Sequence, residues 1–104
     1  MRRVAFKMKL KPGFLAEYKK RHDEIWPELS LELSIAGISD YSIFYDEETS
    51  ALFAVQKQTE NSTADLLPQT EIVRKWWNFM AEIMEANPDN SPVSLPLTEV
   101  FHQD

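Results

Sequence analysis

Near the N-terminus, residues Arg3 to Leu10 alternate strictly. Val4, Phe6, Met8 and Leu10 fall on one side, and Arg3, Ala5, Lys7 and Lys9 on the other. A period of two over such a run predicts a half-buried strand, apolar toward a core and basic away from it. Lys11-Pro12-Gly13 ends it. The spacing then becomes helical from about residue 14 to residue 23. It stops there because Pro27 disfavours helical geometry at Trp26 and has no N–H to donate. The same proline suits the first position of a second helix, about 27 to 36, with Gly37 just past its end. Tyr41 to Tyr45 and Ala51 to Lys57 read as strands joined by the polar loop Asp46 to Ser50. A short helix is expected over 61 to 67, capped by Asn61 or Ser62 and interrupted by Pro68. A stronger helix is expected from Gln69 to Met84, with Val73, one of Trp76 and Trp77, Met80, Ile83 and Met84 inward. The turn-forming run Asn87 to Pro92 precedes a last strand, Leu95 to Phe101.

The order βαββαβ predicts an α+β fold of the ferredoxin-like kind, in one domain spanning residues 1–104. Its antiparallel sheet should carry its helices on one face. The other face is then either solvated or covered by a second copy. Phe6, Phe44, Phe53 and Phe101 give the sheet more apolar surface than one helix layer needs, which points to a homodimer.

Composition narrows the function classes. The 104 residues carry a formal net charge of −6, which repels a phosphate backbone and argues against nucleic-acid binding. The basic residues at 2, 3, 7, 9 and 11 alternate with apolar ones and read as a solvated strand face. With no cysteine, disulfides, thiolate metal sites and a cysteine nucleophile are excluded. No stretch approaches the ~20 apolar residues of a membrane span. No apolar segment follows Met1-Arg2-Arg3 as it would in a secretory signal. The expected location is the cytoplasm. With two glycines in all, there is no phosphate-binding loop. His22-Asp23-Glu24 are adjacent on a helix and point about 100° apart, so they do not converge on a metal ion.

That leaves His22 and the aromatics. Phe14, Tyr18 and His22 are spaced i, i+4, i+8 and share one helix face. A histidine on such a stripe is ordinarily a satisfied core residue. Here the helix ends just after it, which leaves the ring at an edge, and Tyr18 lies one turn away. Trp26, Trp76, Trp77, Tyr41 and Tyr45 add rings that offer a sugar's C–H face an apolar platform, while hydroxyl and indole N–H groups hold its rim. Of the neighbours Trp76 and Trp77, one should enter the core. The other, at the boundary, is the better platform.

Several motifs carry a specific resemblance: Tyr18 with the basic residues preceding His22, Ile25-Trp26-Pro27-Glu28-Leu29, Trp76-Trp77, and Ala86-Asn87-Pro88-Asp89-Asn90-Ser91-Pro92-Val93. Over essentially its full length the chain closely resembles the L-rhamnose mutarotase family. The resemblance implies a ferredoxin-like homodimer in the cytoplasm that interconverts the α and β pyranose anomers of L-rhamnose with neither metal nor organic cofactor. Carried over by position, it makes His22 the proton donor and Tyr18, Tyr41, Trp76 and Trp77 the sugar contacts. A water molecule, a tyrosine hydroxyl or a carboxylate remain open as the base. His102 lies outside these motifs and reads as surface. Two other readings share the architecture: a cofactor-independent monooxygenase-like enzyme of the dimeric α+β barrel class, and a non-catalytic small-molecule binding module.

Overall fold

A computed structural model describes all 104 residues. The elements are β1 (Arg2–Lys9), α1 (Leu15–Asp23), α2 (Pro27–Ile35), β2 (Ile38–Asp46), β3 (Ala51–Gln58), a 3₁₀ helix (Ala64–Gln69), α3 (Glu71–Met80) and β4 (Leu95–Leu97). They build a four-stranded sheet in the order β2-β3-β1-β4, with every pairing antiparallel. This is the expected ferredoxin-like α+β arrangement. No helix is long and apolar enough to cross a membrane.

Strand register sorts the side chains. Directly opposed residues in an antiparallel pair share a face, and β1 meets β3 at Val4↔Gln56, Phe6↔Ala54 and Met8↔Leu52. These residues face the helices. Met8, Leu52 and Ala54 join Tyr18, Leu29, Trp76 and Met80 in the core cluster. Lys7 and Lys9, opposite Phe53 and Ala51, face the other way. Pro27 occupies the first turn of α2, and Gly37 follows that helix at φ 88°. A Cβ there would come within 2.3 Å of the Thr59 hydroxyl oxygen, so position 37 requires glycine both for its backbone angle and for space.

Four local expectations change. First, α3 ends at Met80, not Met84. Ile83 and Met84 are still buried, but their backbone pairs with the end of β1. The Lys11 N–H donates to Ile83 O, the Glu85 N–H donates to Lys9 O, and Leu10 and Met84 form a bridge. Tertiary pairing overrides the helical spacing. Second, Pro68 lies inside the 3₁₀ helix and does not interrupt it. The turn tolerates its missing donor because Leu66 N–H to Thr63 O and Thr70 N–H to Leu67 O flank it. Ser62 serves that helix by accepting from the Ala64 N–H at 3.1 Å. Third, β4 covers only Leu95–Leu97. Val100 and Phe101 are exposed, and the residues past Leu97 reach β1 through Arg3, which contacts Glu99 at 3.4 Å and His102 at 3.3 Å.

The fourth change is in β2, which begins at Ile38, three residues before the expected start. Its register jumps between Ser39↔Lys57 and Ser42↔Val55, so Asp40 and Tyr41 together oppose Gln56. This is a β-bulge. Asp40 takes the left-handed angle φ 47° and pairs with Lys57 at 3.5 Å. Tyr41 turns to the helix side, where its ring meets Phe6 edge-on at 6.5 Å.

On the sheet face away from the helices, Phe44 sits opposite Phe53 and is 63% exposed. Phe6 is not on that face; it packs against the core cluster. The open apolar patch is instead Phe44 and Phe53 with Leu95 and Leu97 at the β4 edge, both exposed.

Candidate active site

Between the helix-facing side of the sheet and the helices lies a cavity of about 1090 Å³. All five residues predicted from sequence line it: Tyr18 and His22 from α1, Tyr41 from the bulge, and Trp76 and Trp77 from α3. Local folding explains each placement. The i, i+4 spacing of Tyr18 and His22 puts both rings on the inward face of α1, with centroids 4.3 Å apart and planes tilted by 31°. Trp76 enters the core and meets His22 edge-on at 5.4 Å and 89°. Trp77 is half-buried and is the boundary residue of the pair. It lines the cavity but makes no ring-to-ring contact with the other aromatics of the site.

Trp26 stands elsewhere. It packs edge-on behind Trp76 at 5.0 Å and 87° and stacks on Phe79 at 5.6 Å and 27°. Its position is a buttress for Trp76, and Ile25, two residues before Pro27, lines the cavity. The Arg21 guanidinium lies over the Phe79 ring at 4.0 Å. It also donates to Glu17 at 2.7 Å and pairs with Glu82. His102 lies outside the cavity, 2.9 Å from Asp104.

The hydrogen bonding of His22 sets its chemistry. Nδ1 lies 3.1 Å from the Tyr18 carbonyl oxygen. A carbonyl can only accept, so Nδ1 carries a hydrogen and the neutral ring has its lone pair on Nε2. Nε2 has no hydrogen-bond partner in the chain. One half of the ring is thus held as a core histidine is held, and the other half remains free. Burial pulls the His22 pKa below its ordinary 6.5, against opposing contributions from the Tyr18 carbonyl and the Asp23 charge.

The two tyrosines shift the other way. Burial, then the neighbouring Tyr41, pushes the Tyr18 phenol well above the usual tyrosine range. Burial pushes Tyr41 up to about 12. Tyr41 also keeps 38% of its surface accessible, and water reaching that surface tempers the push. Both remain hydroxyls at neutral pH. They can donate and accept hydrogen bonds but do not supply a phenolate. At the rim, the Asp23 carboxylate accepts from Lys19 at 2.8 Å. No group of three or more His, Asp or Glu side chains converges to ligate a metal ion.

Gln56 and Gln58 also line the cavity and were missed from sequence. They are the buried polar residues of the chain, at 4% and 7% exposure. The signal was there: they continue the inward parity of Leu52 and Ala54, positions where a polar amide needs a partner.

Fold and site together define a small α+β protein whose cavity suits an uncharged, hydroxyl-rich ligand, with one imidazole placed to move a proton. The comparisons agree with that class. A family model described as L-rhamnose mutarotase matches residues 3–103. The chain is 62% identical to an L-rhamnose mutarotase from Bacteroides thetaiotaomicron, over 100% of both chains. It is 57% identical to one from Phocaeicola vulgatus, also over 100% of both. A crystal structure of an L-rhamnose mutarotase from Formosa agariphila superposes with a TM-score of 0.93 at 56% identity, covering 100% of each chain. The chain belongs to the L-rhamnose mutarotase family.

Proposed function

We propose that this protein is an isomerase that interconverts the α and β pyranose anomers of L-rhamnose, with His22 as its proton donor. The observation that carries the reading is the half-satisfied histidine: Nδ1–H is fixed on the Tyr18 carbonyl, while Nε2 is free in a cavity shared with Tyr18, Tyr41, Trp76 and Trp77. Anomer exchange opens a hemiacetal. The ring oxygen gains a proton and the anomeric hydroxyl loses one; the open aldehyde then rotates and recloses. No carbon–hydrogen bond breaks and no electrons transfer, so the reaction requires no metal or redox cofactor.

In the imidazolium form, Nε2–H gives its proton to the ring oxygen and recovers it on reclosure. The burial that lowers the His22 pKa makes that imidazolium a stronger acid than one in water. Tyr18 and Tyr41, held as neutral phenols, bind sugar hydroxyls. Trp77 packs against the apolar side of the sugar, and Trp76 lies beside the imidazole. The raised tyrosine pKa values disfavour either phenol as the base and leave water or a carboxylate to take the anomeric proton; Asp23 lines the cavity.

The whole chain acts as one domain. It works in the cytoplasm as a homodimer, through the open sheet face that carries Phe44, Phe53, Leu95 and Leu97. Nucleic acid and membrane play no part. Magnetisation exchange between the anomers of L-rhamnose tests the activity: the protein should raise the exchange rate above that of buffer. Saturable sugar binding without faster exchange would make the protein a binding module.

A further inference from the structure

We infer that Gln56 is a sugar-binding residue of this site, and that Arg2 and Gln58 act as positioning residues fixing which end of its amide meets the ligand. The inference rests on the proposed mutarotase reading. It starts from a one-way chain of hydrogen bonds. The Arg2 Nη2 donates to Gln58 Oε1 at 3.0 Å, and Gln58 Nε2 donates to Gln56 Oε1 at 2.8 Å. A guanidinium can only donate, so it fixes the Gln58 oxygen toward itself. The Gln58 NH₂ must then face Gln56, which can answer only with its oxygen. That leaves the Gln56 NH₂ for the cavity.

Gln56 is 4% exposed and lines the cavity, and its Nε2 has no partner in the chain. No fully buried side-chain nitrogen or oxygen lacks a partner, so this Nε2 opens onto the cavity, where it can donate to water or to an oxygen of a ligand that displaces it. The β-bulge supplies the context, because Asp40 and Tyr41 both oppose Gln56 in the β2–β3 ladder. The Gln56 amide and the Tyr41 phenol therefore share the same stretch of cavity wall. A donor-only amide end beside a neutral phenol fits an uncharged oxygen acceptor, a hydroxyl or ring oxygen of the pyranose.

The test measures anomer exchange against L-rhamnose concentration for wild type, Gln56→Met, Gln56→Glu and Arg2→Met. Gln56→Met removes the donor at nearly constant shape. KM should rise about two- to tenfold, the usual worth of one neutral hydrogen bond, with kcat changed less. Gln56→Glu keeps an acceptor for Gln58 and replaces the donor, and should raise KM at least as much. Arg2→Met should raise KM by a smaller factor, and by nothing further in a Gln56→Met background, because Arg2 acts through Gln56. A KM within the error of wild type in a folded Gln56 variant overturns the inference, and an unchanged KM in Arg2→Met overturns the relay. One arm needs no variant: on titration of the wild-type protein with L-rhamnose, the Gln56 side-chain ¹⁵N–¹H₂ resonances should shift, and resonances that stay still overturn the contact. A wild-type protein that does not speed anomer exchange defeats the mutarotase reading separately.

Discussion

Replacing His22 with glutamine separates a catalytic from a purely structural histidine, because the two effects differ in size. The imidazole contributes a hydrogen bond to the Tyr18 carbonyl, a ring contact with Tyr18 at 4.3 Å and an edge contact with Trp76 at 5.4 Å. A neutral hydrogen bond is worth about 0.5–1.5 kcal/mol and an aromatic pair about 0.5–1.5 kcal/mol. Glutamine recovers part of this, so His22→Gln should cost about 1–3 kcal/mol of stability. For a domain of this size each kcal/mol lowers Tm by about 4–8 °C. Removal of a general acid should cost about 10²–10⁴ in rate, or about 2.7–5.4 kcal/mol of barrier. Unfolding cannot imitate that loss. A domain with about 5–15 kcal/mol in hand that loses 3 remains more than about nine-tenths folded at 25 °C, so unfolding removes about a tenth of the activity at most. The assay is magnetisation exchange between L-rhamnose anomers at 25 °C, with the folded fraction measured by circular dichroism on the same sample. A folded His22→Gln protein that exchanges anomers near the wild-type rate would falsify the donor assignment, whatever its Tm.

The remaining predictions follow from the same geometry. With the imidazolium as the proposed donor and its pKa below 6.5, kcat/KM should fall as pH rises through that lowered value; a rising limb would instead make neutral Nε2 the base. Stability should run the other way. The unfolded imidazole takes up a proton first as pH drops, so the stability associated with neutral His22 is complete above about 6.5 and declines below it; a Tm profile identical in wild type and His22→Gln across that window refutes the linkage. Tyr18→Phe, lacking the hydroxyl proposed to bind sugar, should raise KM while leaving kcat nearly intact, and a large kcat loss at unchanged KM contradicts that role. Sedimentation should give a dimer that Phe44→Glu converts to monomer; a wild-type monomer at every concentration rules the interface out.

The legible parts of the molecule were those specified by local rules. Alternation marked β1, Pro27 and Gly37 punctuated α2, and the i, i+4 spacing placed Tyr18 and His22 on one face. The parts that escaped depend on partners distant in sequence. The end of α3 is set by backbone pairing of residues 83–85 with β1, and nothing within the helical stripe signals it. Trp76 and Trp77 are equivalent as neighbours until the sheet shows which one is covered. Gln56 reads as an ordinary polar residue unless its parity with Leu52 is followed, and the direction of its amide depends on Arg2, fifty-four positions away. The free Nε2 of His22 likewise follows from a hydrogen bond that spacing alone does not reveal.

The bulge in β2 also bears on how proteins with this fold can differ in length. Two residues there face a single partner, so removing Asp40 would leave one opposite one. Ser39 would still meet Lys57, and Ser42 would still meet Val55. Elsewhere in a strand, the loss of one residue turns every following side chain to the wrong face. Here the inside–outside pattern survives, and what disappears is the local bend and extra twist of the bulged strand. A single-codon deletion at this point would therefore re-aim the Tyr41 phenol on an otherwise unchanged sheet, a genetic route by which one scaffold can reshape a cavity wall without redesigning its core.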